Sequence, residues 1–259
     1  MESTFSNRNN YQRDYWKARA ESLDHQRKSI ADPAQRVGEA NFVAQHISRT
    51  DSVLEVGCGS GVMTKRIAEG AMRVTAVDIQ PLMLESAEEF VGESLSDSID
   101  FIHGDFLELE NLPAFDVIVC ARVLINLPSV ELQEKSIAFF YNQLRPGGRL
   151  ILLEGFTEAF SEINTLRARG ELEPIAPAPV NLYLNRRFWD LLEHTGFSRG
   201  DSFSNGLYDV VTRLVLPLAE KEGPNSTELR EQLADWCLRG LSGDLSKYSR
   251  VQGGVFLRE

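Results

Sequence analysis

The chain has 259 residues, of which 42% are hydrophobic and 25% charged, and its formal net charge is −11. This composition is that of a folded globular protein, and the negative field argues against a nucleic-acid partner. No run approaches the roughly 18 apolar residues of a membrane span, and the polar N-terminus and three scattered cysteines predict a cytoplasmic protein with no metal site and no membrane association.

The first 50 residues predict an N-terminal helical lid. Aromatic residues, including Tyr15 and Trp16, recur at helical spacing, and Pro33 divides the segment into two helices. Basic residues from Arg8 to Arg36 alternate with acidic ones, which favours a solvated helix over a nucleic-acid-binding patch.

Residues 51–155 alternate strands with helices, which is the pattern of a parallel α/β sheet. The segment Phe115–Cys120 is almost wholly apolar, as expected for a strand that is buried on both faces. The other predicted strands are Ser52–Val56, Arg73–Asp78, Ile99–His103 and Arg149–Glu154, and the helices are Val62–Glu69, Pro81–Val91 and Glu131–Leu144.

Residues 156–259 predict the rest of the sheet together with a substrate cap. Strands are expected at Phe197–Phe203 and Gly253–Leu257, and residues 155–185 and 204–250 are expected to form the cap. Three prolines within residues 173–179 predict an extended loop. Helices are predicted at Thr157–Arg169, Arg186–Thr195, Leu207–Leu218 and Ser226–Leu238, of which Arg186–Thr195 lies between the two cap segments. Together these elements predict a Rossmann-like α/β fold: a seven-stranded, mostly parallel sheet with an N-terminal helical lid and C-terminal helical cap insertions.

A glycine-rich loop follows the first strand, with Gly57, Gly59 and Gly61 at alternate positions. Such a loop turns tightly and lets the backbone approach a ligand closely. Val62 stands where a dinucleotide-binding loop has its third glycine, and the Gly-Lys-Ser/Thr ending of a phosphate-binding loop is absent.

Carboxylates follow the second and third strands. Asp78 is placed to accept hydrogen bonds from both hydroxyls of a ribose. Asp105 can accept from an adenine amino group, and the neighbouring Phe106 can lie against the ring. Both lie at the carboxyl edge of the predicted sheet, where ligands of such folds bind.

These signals resemble those of class I S-adenosylmethionine-dependent methyltransferases of the small-molecule type. The resemblance covers residues 36–155 and includes Phe115–Ala121 and Leu144–Gly148. It implies S-adenosylmethionine as cofactor and S-adenosylhomocysteine as product, with Glu55 accepting from the methionine ammonium group. The implied cofactor-binding residues are Trp16, Arg36, Glu55, Gly57, Gly59, Gly61, Asp78, Ile79, Asp105, Phe106, Cys120 and Arg122.

Some of these assignments have structural alternatives. Arg36 is either a cation beside the methionine carboxylate or an ordinary surface arginine, and Trp16 belongs either to a closing lid or to plain packing. Cys120 lies inside an apolar strand, so it is interpreted as a core residue and not as a nucleophile. His103 is a weak candidate for a base, and a structural role for it is favoured. Methyl transfer depends mainly on alignment, so no catalytic residue is assigned.

The segment after the fourth strand lacks the Asn/Asp-Pro-Pro-Tyr/Phe loop of enzymes that methylate bases or glutamine, which favours a small acceptor. Asn164 and Arg167 share a helix face and, with Arg122 and Asn126, are candidates for an anion-recognising rim. A solvated helix with salt bridges is the alternative. The candidate substrate-binding residues are Asn126, Asn164, Arg167, Tyr183 and Tyr208.

The sequence therefore predicts methyl transfer to oxygen or nitrogen of a small, anionic metabolite of a glycan or secondary-metabolite pathway, by a monomer or homodimer. The alternatives are a methyltransferase that acts on protein or RNA, and a non-catalytic S-adenosylmethionine-binding protein.

Overall fold

The computed structural model describes residues 11–12, 14–21, 32–223, 226–227, 229–231 and 244–259. Its centre is a seven-stranded sheet in which β1 to β5 are parallel and β7 runs antiparallel between β5 and β6. The strands are β1 Ser52–Val56, β2 Arg73–Asp78, β3 Ile99–His103, β4 Phe115–Ala121, β5 Leu144–Gly155, β6 Phe197–Ser204 and β7 Val251–Arg258. Their order in the sheet is β3-β2-β1-β4-β5-β7-β6.

Helices cover both faces of this sheet, which explains why its central strands are apolar on both sides. In the N-terminal half the helices are α1 Pro33–Gln45, α2 Val62–Ala68, α3 Pro81–Val91, α4 Glu93–Ser96 and α5 Val130–Gln143. Short 3₁₀ turns at Phe106–Glu108 and Leu124–Asn126 follow β3 and β4. Residues 14–20 are also helical.

The C-terminal helices form a small cap with a core of its own, except for Arg187–Thr195, whose Phe188 and Leu192 pack in the core of the sheet. They are α6 Thr157–Arg169, α7 Arg187–Thr195, α8 Gly206–Val210, a π turn at Val211–Val215 and α9 Leu216–Glu222, with a 3₁₀ turn at Leu245–Tyr248. Leu166, Val210, Leu214 and Leu218 pack together in this core. No helix among the described residues is long and apolar enough to cross a bilayer.

The structure confirms the predicted sheet and changes a few boundaries. The fifth strand begins at Leu144 and not at Arg149, because the turn at Pro146–Gly148 lies where the pairing of β4 with β5 shifts register. The predicted helix Leu207–Leu218 is divided by the π turn. Most of the predicted helix Ser226–Leu238 lies outside the described residues.

Candidate functional site

A cavity of about 470 Å³ lies at the carboxyl edge of β1 to β4. This is the size of a small-molecule pocket, and the edge is where ligands of open α/β sheets bind. Ten of the predicted site residues line it: Trp16, Arg36, Gly57, Gly59, Asp78, Ile79, Asp105, Phe106, Arg122 and Asn126.

The glycine loop forms the floor of the cavity through Gly57 and Gly59. At Gly57 the backbone has φ +66°, and a Cβ there would come within 3.0 Å of the Val123 side chain. Gly61 does not line the cavity: a Cβ there would lie 2.9 Å from Ala87 of α3, so this glycine allows α2 and α3 to pack closely.

Asp78 is the last residue of β2, and its carboxylate holds the backbone of the cavity floor in place through hydrogen bonds. One oxygen accepts from the backbone N–H of Gly59 at 2.8 Å, and the other accepts from the N–H of Gln80 at 2.8 Å. Burial raises the pKa of Asp78, and these two N–H donors oppose that shift. Each carboxylate oxygen has further acceptor capacity, so the group can still receive ligand hydroxyls.

Asp105 and Phe106 lie at the end of the cavity next to β3. The Asp105 side chain accepts from the N–H of Leu107 at 3.0 Å and caps the 3₁₀ turn that begins at Phe106. Phe106 is buried, and its ring stacks on Phe140 of α5 with centroids 5.7 Å apart. Packing from behind therefore holds a rigid aromatic side chain at the cavity wall.

Arg36, on α1, brings a buried cation to the cavity. Its side chain is 7% exposed, and its Nε has no hydrogen-bond partner among the described residues. Burial lowers the pKa of Arg36, and the carboxylate of Glu39 opposes this shift. Burial also raises the pKa of Glu55 to about 7. Glu55 does not line the cavity but lies beneath it, close enough to interact electrostatically with Arg36.

The loop that follows β4 is fixed from below by Glu154, at the end of β5. One oxygen of this fully buried carboxylate accepts from the N–H groups of Val123 at 2.8 Å and Leu124 at 2.7 Å. Burial raises the pKa of Glu154 to about 7. The loop also contains Arg122, whose φ of +61° is uncommon for a residue with a side chain.

The N-terminal lid and the loop of residues 178–181 also line the cavity. Trp16 and Tyr15 from the lid meet edge to face, with centroids 5.2 Å apart, and both line the cavity. Gln12 donates to the carbonyl of Val180 at 2.8 Å, and this hydrogen bond joins the lid to the loop of residues 178–181.

Four of the five candidate substrate residues, all except Asn126, lie away from the cavity lining and have other partners. Asn164 donates from its amide nitrogen to the carbonyl of Ile175 and accepts at its amide oxygen from the N–H of the same residue. Arg167 donates to the carbonyl of Glu173 at 2.7 Å. Arg167 also donates to the carbonyl of Arg213, Tyr208 donates to Asp32, and the Tyr183 hydroxyl accepts from Ala178 and Asn181. The structure does not form the rim expected from Asn164 and Arg167, because these side chains bind backbone groups within the cap.

Two further candidates also lie outside the lining. The Cys120 thiol is fully buried and donates to Glu154 at 3.6 Å, and burial raises its pKa well above the ordinary value. It is therefore a protonated core thiol. His103 is exposed, with Nε2 3.2 Å from the carbonyl oxygen of Ile79.

Sequence reasoning missed several residues of the site. Arg250 lines the cavity although it precedes the last strand, and Gln12, Arg19 and Asn181 line it from distant segments. Glu154 carried a local signal, since it is a charged residue at the end of an otherwise apolar strand. A charge in that position indicates a buried partner.

Comparisons with known proteins agree with this geometry. Residues 53–148 match a family model described as a methyltransferase domain. The chain is 33% identical over 103 residues to a mitochondrial ubiquinone biosynthesis O-methyltransferase of Schizosaccharomyces pombe, covering 39% of this chain and 36% of that one. It is 29% identical over 163 residues to a probable methyltransferase of Aspergillus luteorubrus, covering 59% and 54%. The chain thus spans about a third to a half of these relatives' lengths.

Among solved structures, the fold is similar to that of the N-methyltransferase NodS from Bradyrhizobium japonicum, which was crystallised with S-adenosylhomocysteine. The TM-score is 0.62 with 15% sequence identity, over 95% of this chain and 98% of that chain. At this identity the likeness concerns the fold.

Proposed function

We propose that this chain, whose residues 53–148 match a methyltransferase domain model, transfers a methyl group from S-adenosylmethionine to oxygen or nitrogen of a small metabolite. Arg36 supports the assignment most directly. Its buried side chain lines the cavity, and its Nε lacks a partner among the described residues. A buried donor without a partner costs about 1–3 kcal/mol. The carboxylate of a methionine moiety is a ligand group that would pair with this guanidinium.

The other half of the cofactor would fit the ends of β1 to β3. Gly57 and Gly59 bring bare backbone to the cavity floor, and Asp78 retains acceptor capacity for ribose hydroxyls. Asp105 and Phe106 would receive the adenine, by a hydrogen bond to its amino group and by contact with its ring face. When bound, S-adenosylmethionine supplies an activated methyl group on its sulfonium.

The acceptor would occupy the part of the cavity next to the lid and the loop of residues 178–181. Tyr15, Trp16 and Val180 give this part a partly apolar wall that excludes water. The enclosure favours a small molecule over a protein or RNA chain. Holding the acceptor in line with the methyl group supplies most of the rate enhancement, and a base is needed only if the acceptor must lose a proton on the way.

The test is calorimetric titration with S-adenosylhomocysteine, NAD and 5′-methylthioadenosine, which lacks the amino-acid part. We expect the two sulfur ligands to bind and NAD not to bind. Arg36→Gln should weaken S-adenosylhomocysteine binding by about ten-fold or more and leave methylthioadenosine binding unchanged. Arg73→Gln is the control, because Arg73 pairs with Asp100 at the opposite edge of the sheet. Binding of NAD alone, or an equal loss for both sulfur ligands, would contradict the assignment.

Methyl transfer itself is tested by S-adenosylhomocysteine formation with panels of small metabolites, proteins and RNA. We expect turnover with a small acceptor, from a glycan or secondary-metabolite pathway. Turnover with protein or RNA alone would contradict the small-acceptor assignment. Tight cofactor binding without turnover of any acceptor would favour a non-catalytic binder.

A further inference from the structure

Two arginines reach the cavity from neighbouring parts of the sheet edge. Arg122 directly follows β4, and Arg250 directly precedes β7. Because β7 is antiparallel to β5, its beginning lies at the edge where β4 and β5 end. The two backbones are separated across the sheet by two strand spacings, about 10 Å. Both side chains line the cavity, so they can contact one small molecule.

Arg250 is held in one orientation by a carboxylate that has no solvent exposure. Its Nε and Nη2 donate to Oδ1 of Asp209 at 2.9 and 2.7 Å, while its backbone N–H donates to Oδ2 at 2.8 Å. These bonds use one side of the guanidinium. Nη1 makes no hydrogen bond to any residue that the structure describes, and the side chain is 19% exposed. The donors left over are therefore available to a molecule in the cavity.

Arg122 repeats this arrangement. Its Nε and Nη2 donate to Oε1 of Glu39, another carboxylate without solvent exposure, and its Nη1 has no hydrogen bond within the described part of the chain. A buried ion pair seldom stabilises a fold more than apolar packing of the same volume does. Two such pairs at one cavity are better explained by a need to hold guanidinium groups in fixed orientations, which is what planar recognition of an anion requires.

The charged side chains that line the acceptor side of the cavity have one sign, and their carboxylate partners Glu39 and Asp209 lie behind them. Asp78 and Asp105 are the acidic residues among the described lining, and both lie at the ends of β2 and β3, where the adenosine would bind. On the acceptor side the charged lining residues are Arg19, Arg122 and Arg250. The chain as a whole has a net charge of −11. A local cluster of cations in an acidic protein would attract and orient an anion.

We infer that Arg250 and Arg122 bind an anionic group of the methyl acceptor, which is therefore a small molecule bearing a carboxylate or a phosphate. This inference rests on the proposed methyl transfer for the identification of the bound anion as the acceptor. The specificity-determining residues thus lie on the sheet edge and not on the cap helix that carries Asn164 and Arg167.

The experiment titrates the protein, saturated with S-adenosylhomocysteine, with two probes at constant ionic strength: inorganic phosphate and benzoate. We expect one of them to bind, and the preferred probe identifies the anionic group. Arg250→Lys keeps a positive charge beside Asp209 but loses the free side of the guanidinium, and we expect it to weaken the probe's affinity by about ten-fold or more. A second variant, Arg250→Gln with Asp209→Asn, leaves no unpaired buried charge and should have the same effect. The control is Arg73→Gln, which removes an exposed, carboxylate-paired arginine from the opposite sheet edge.

The outcomes separate the two proposals. If S-adenosylhomocysteine does not bind the wild-type protein, the proposed function fails whatever the anions do. If it binds but neither probe does, or if the Arg250 variants bind the probe as tightly as the wild type, the anionic-acceptor inference is wrong and the cofactor assignment stands. Loss of probe binding in Arg73→Gln as well would mean that the effect is one of overall charge, and this too would overturn the inference.

Discussion

Replacing Gly57 with alanine tests the link between the glycine loop and the acceptor wall. Gly57 has φ +66°, and for a residue with a side chain that conformation costs about 1–2 kcal/mol. The new Cβ would also come within 3.0 Å of Val123. Overpacking of this kind costs about 1–3 kcal/mol, because the neighbour must move. The free energy of unfolding should therefore fall by about 2–5 kcal/mol.

A second glycine isolates the backbone part of this cost. Gly147 has φ +76°, and a Cβ there would have no neighbour within 4 Å. Gly147→Ala should cost only the conformational part, about 1–2 kcal/mol. Urea denaturation of both variants measures the difference. Adding Val123→Ala to Gly57→Ala should return the steric part, so the double-mutant cycle should show a favourable coupling of about 1–3 kcal/mol.

Cofactor affinity gives an independent readout of the same contact. Glu154 fixes the backbone of Val123 through a 2.8 Å hydrogen bond, so the loop cannot yield without disturbing the cavity wall. We expect Gly57→Ala to weaken S-adenosylhomocysteine binding by about ten-fold or more, and Gly147→Ala to leave it unchanged. If the two glycine variants lose equal stability and bind the ligand equally well, the argument from close approach is refuted.

Three further substitutions test single contacts. Asp78→Ala should weaken S-adenosylhomocysteine binding by about ten- to a hundred-fold, since hydrogen bonds to a charged group contribute about 1.5–3 kcal/mol; an unchanged Kd in calorimetry would exclude the ribose assignment. Burial raises the pKa of Glu154 from 4.5 to about 7, so the folded state keeps a proton that the unfolded chain loses, and the unfolding free energy falls by about 3 kcal/mol as pH rises through this window. Glu154→Gln should remove that fall. If urea unfolding of the variant and of the wild type gives the same dependence of unfolding free energy on pH, Glu154 is not the group responsible. Arg167→Ala should cost about 1–2 kcal/mol of stability in urea unfolding, because two carbonyls lose their donor, while an increase in the acceptor's KM would restore Arg167 as a substrate residue.

The sheet, and the cavity residues at the ends of β1 to β3, could be predicted because their signals are local. Apolar strands end in short polar motifs, and the carboxyl ends of parallel strands meet at one edge. Gly57, Asp78 and Asp105 therefore line one cavity although they are far apart in the chain. Each of these positions follows from strand boundaries that the sequence pattern locates within a residue or two.

The acceptor side could not be predicted in this way, because it depends on contacts between distant segments. Helical spacing places Asn164 and Arg167 on one face of α6, but the packing of the cap decides which groups lie against that face. In the structure these groups are the backbone carbonyls of Ile175 and Glu173. Arg250 was missed because the predicted last strand began at Gly253, whereas β7 begins at Val251, directly after the arginine.

The two halves of the cavity are nevertheless connected through a short chain of contacts. Val123 lies against Gly57 on the cofactor side, and Glu154 fixes Val123 and Leu124 on the acceptor side. Gln133 of α5 then donates to the carbonyls of Leu124 and Leu182, which joins the loop after β4 to the residue that follows the loop of residues 178–181. A change in the acceptor wall should therefore reach the cofactor through Val123. Substitutions at Arg250, outside this chain of contacts, should change anion affinity alone, whereas substitutions at Val123 should change the affinity for both ligands.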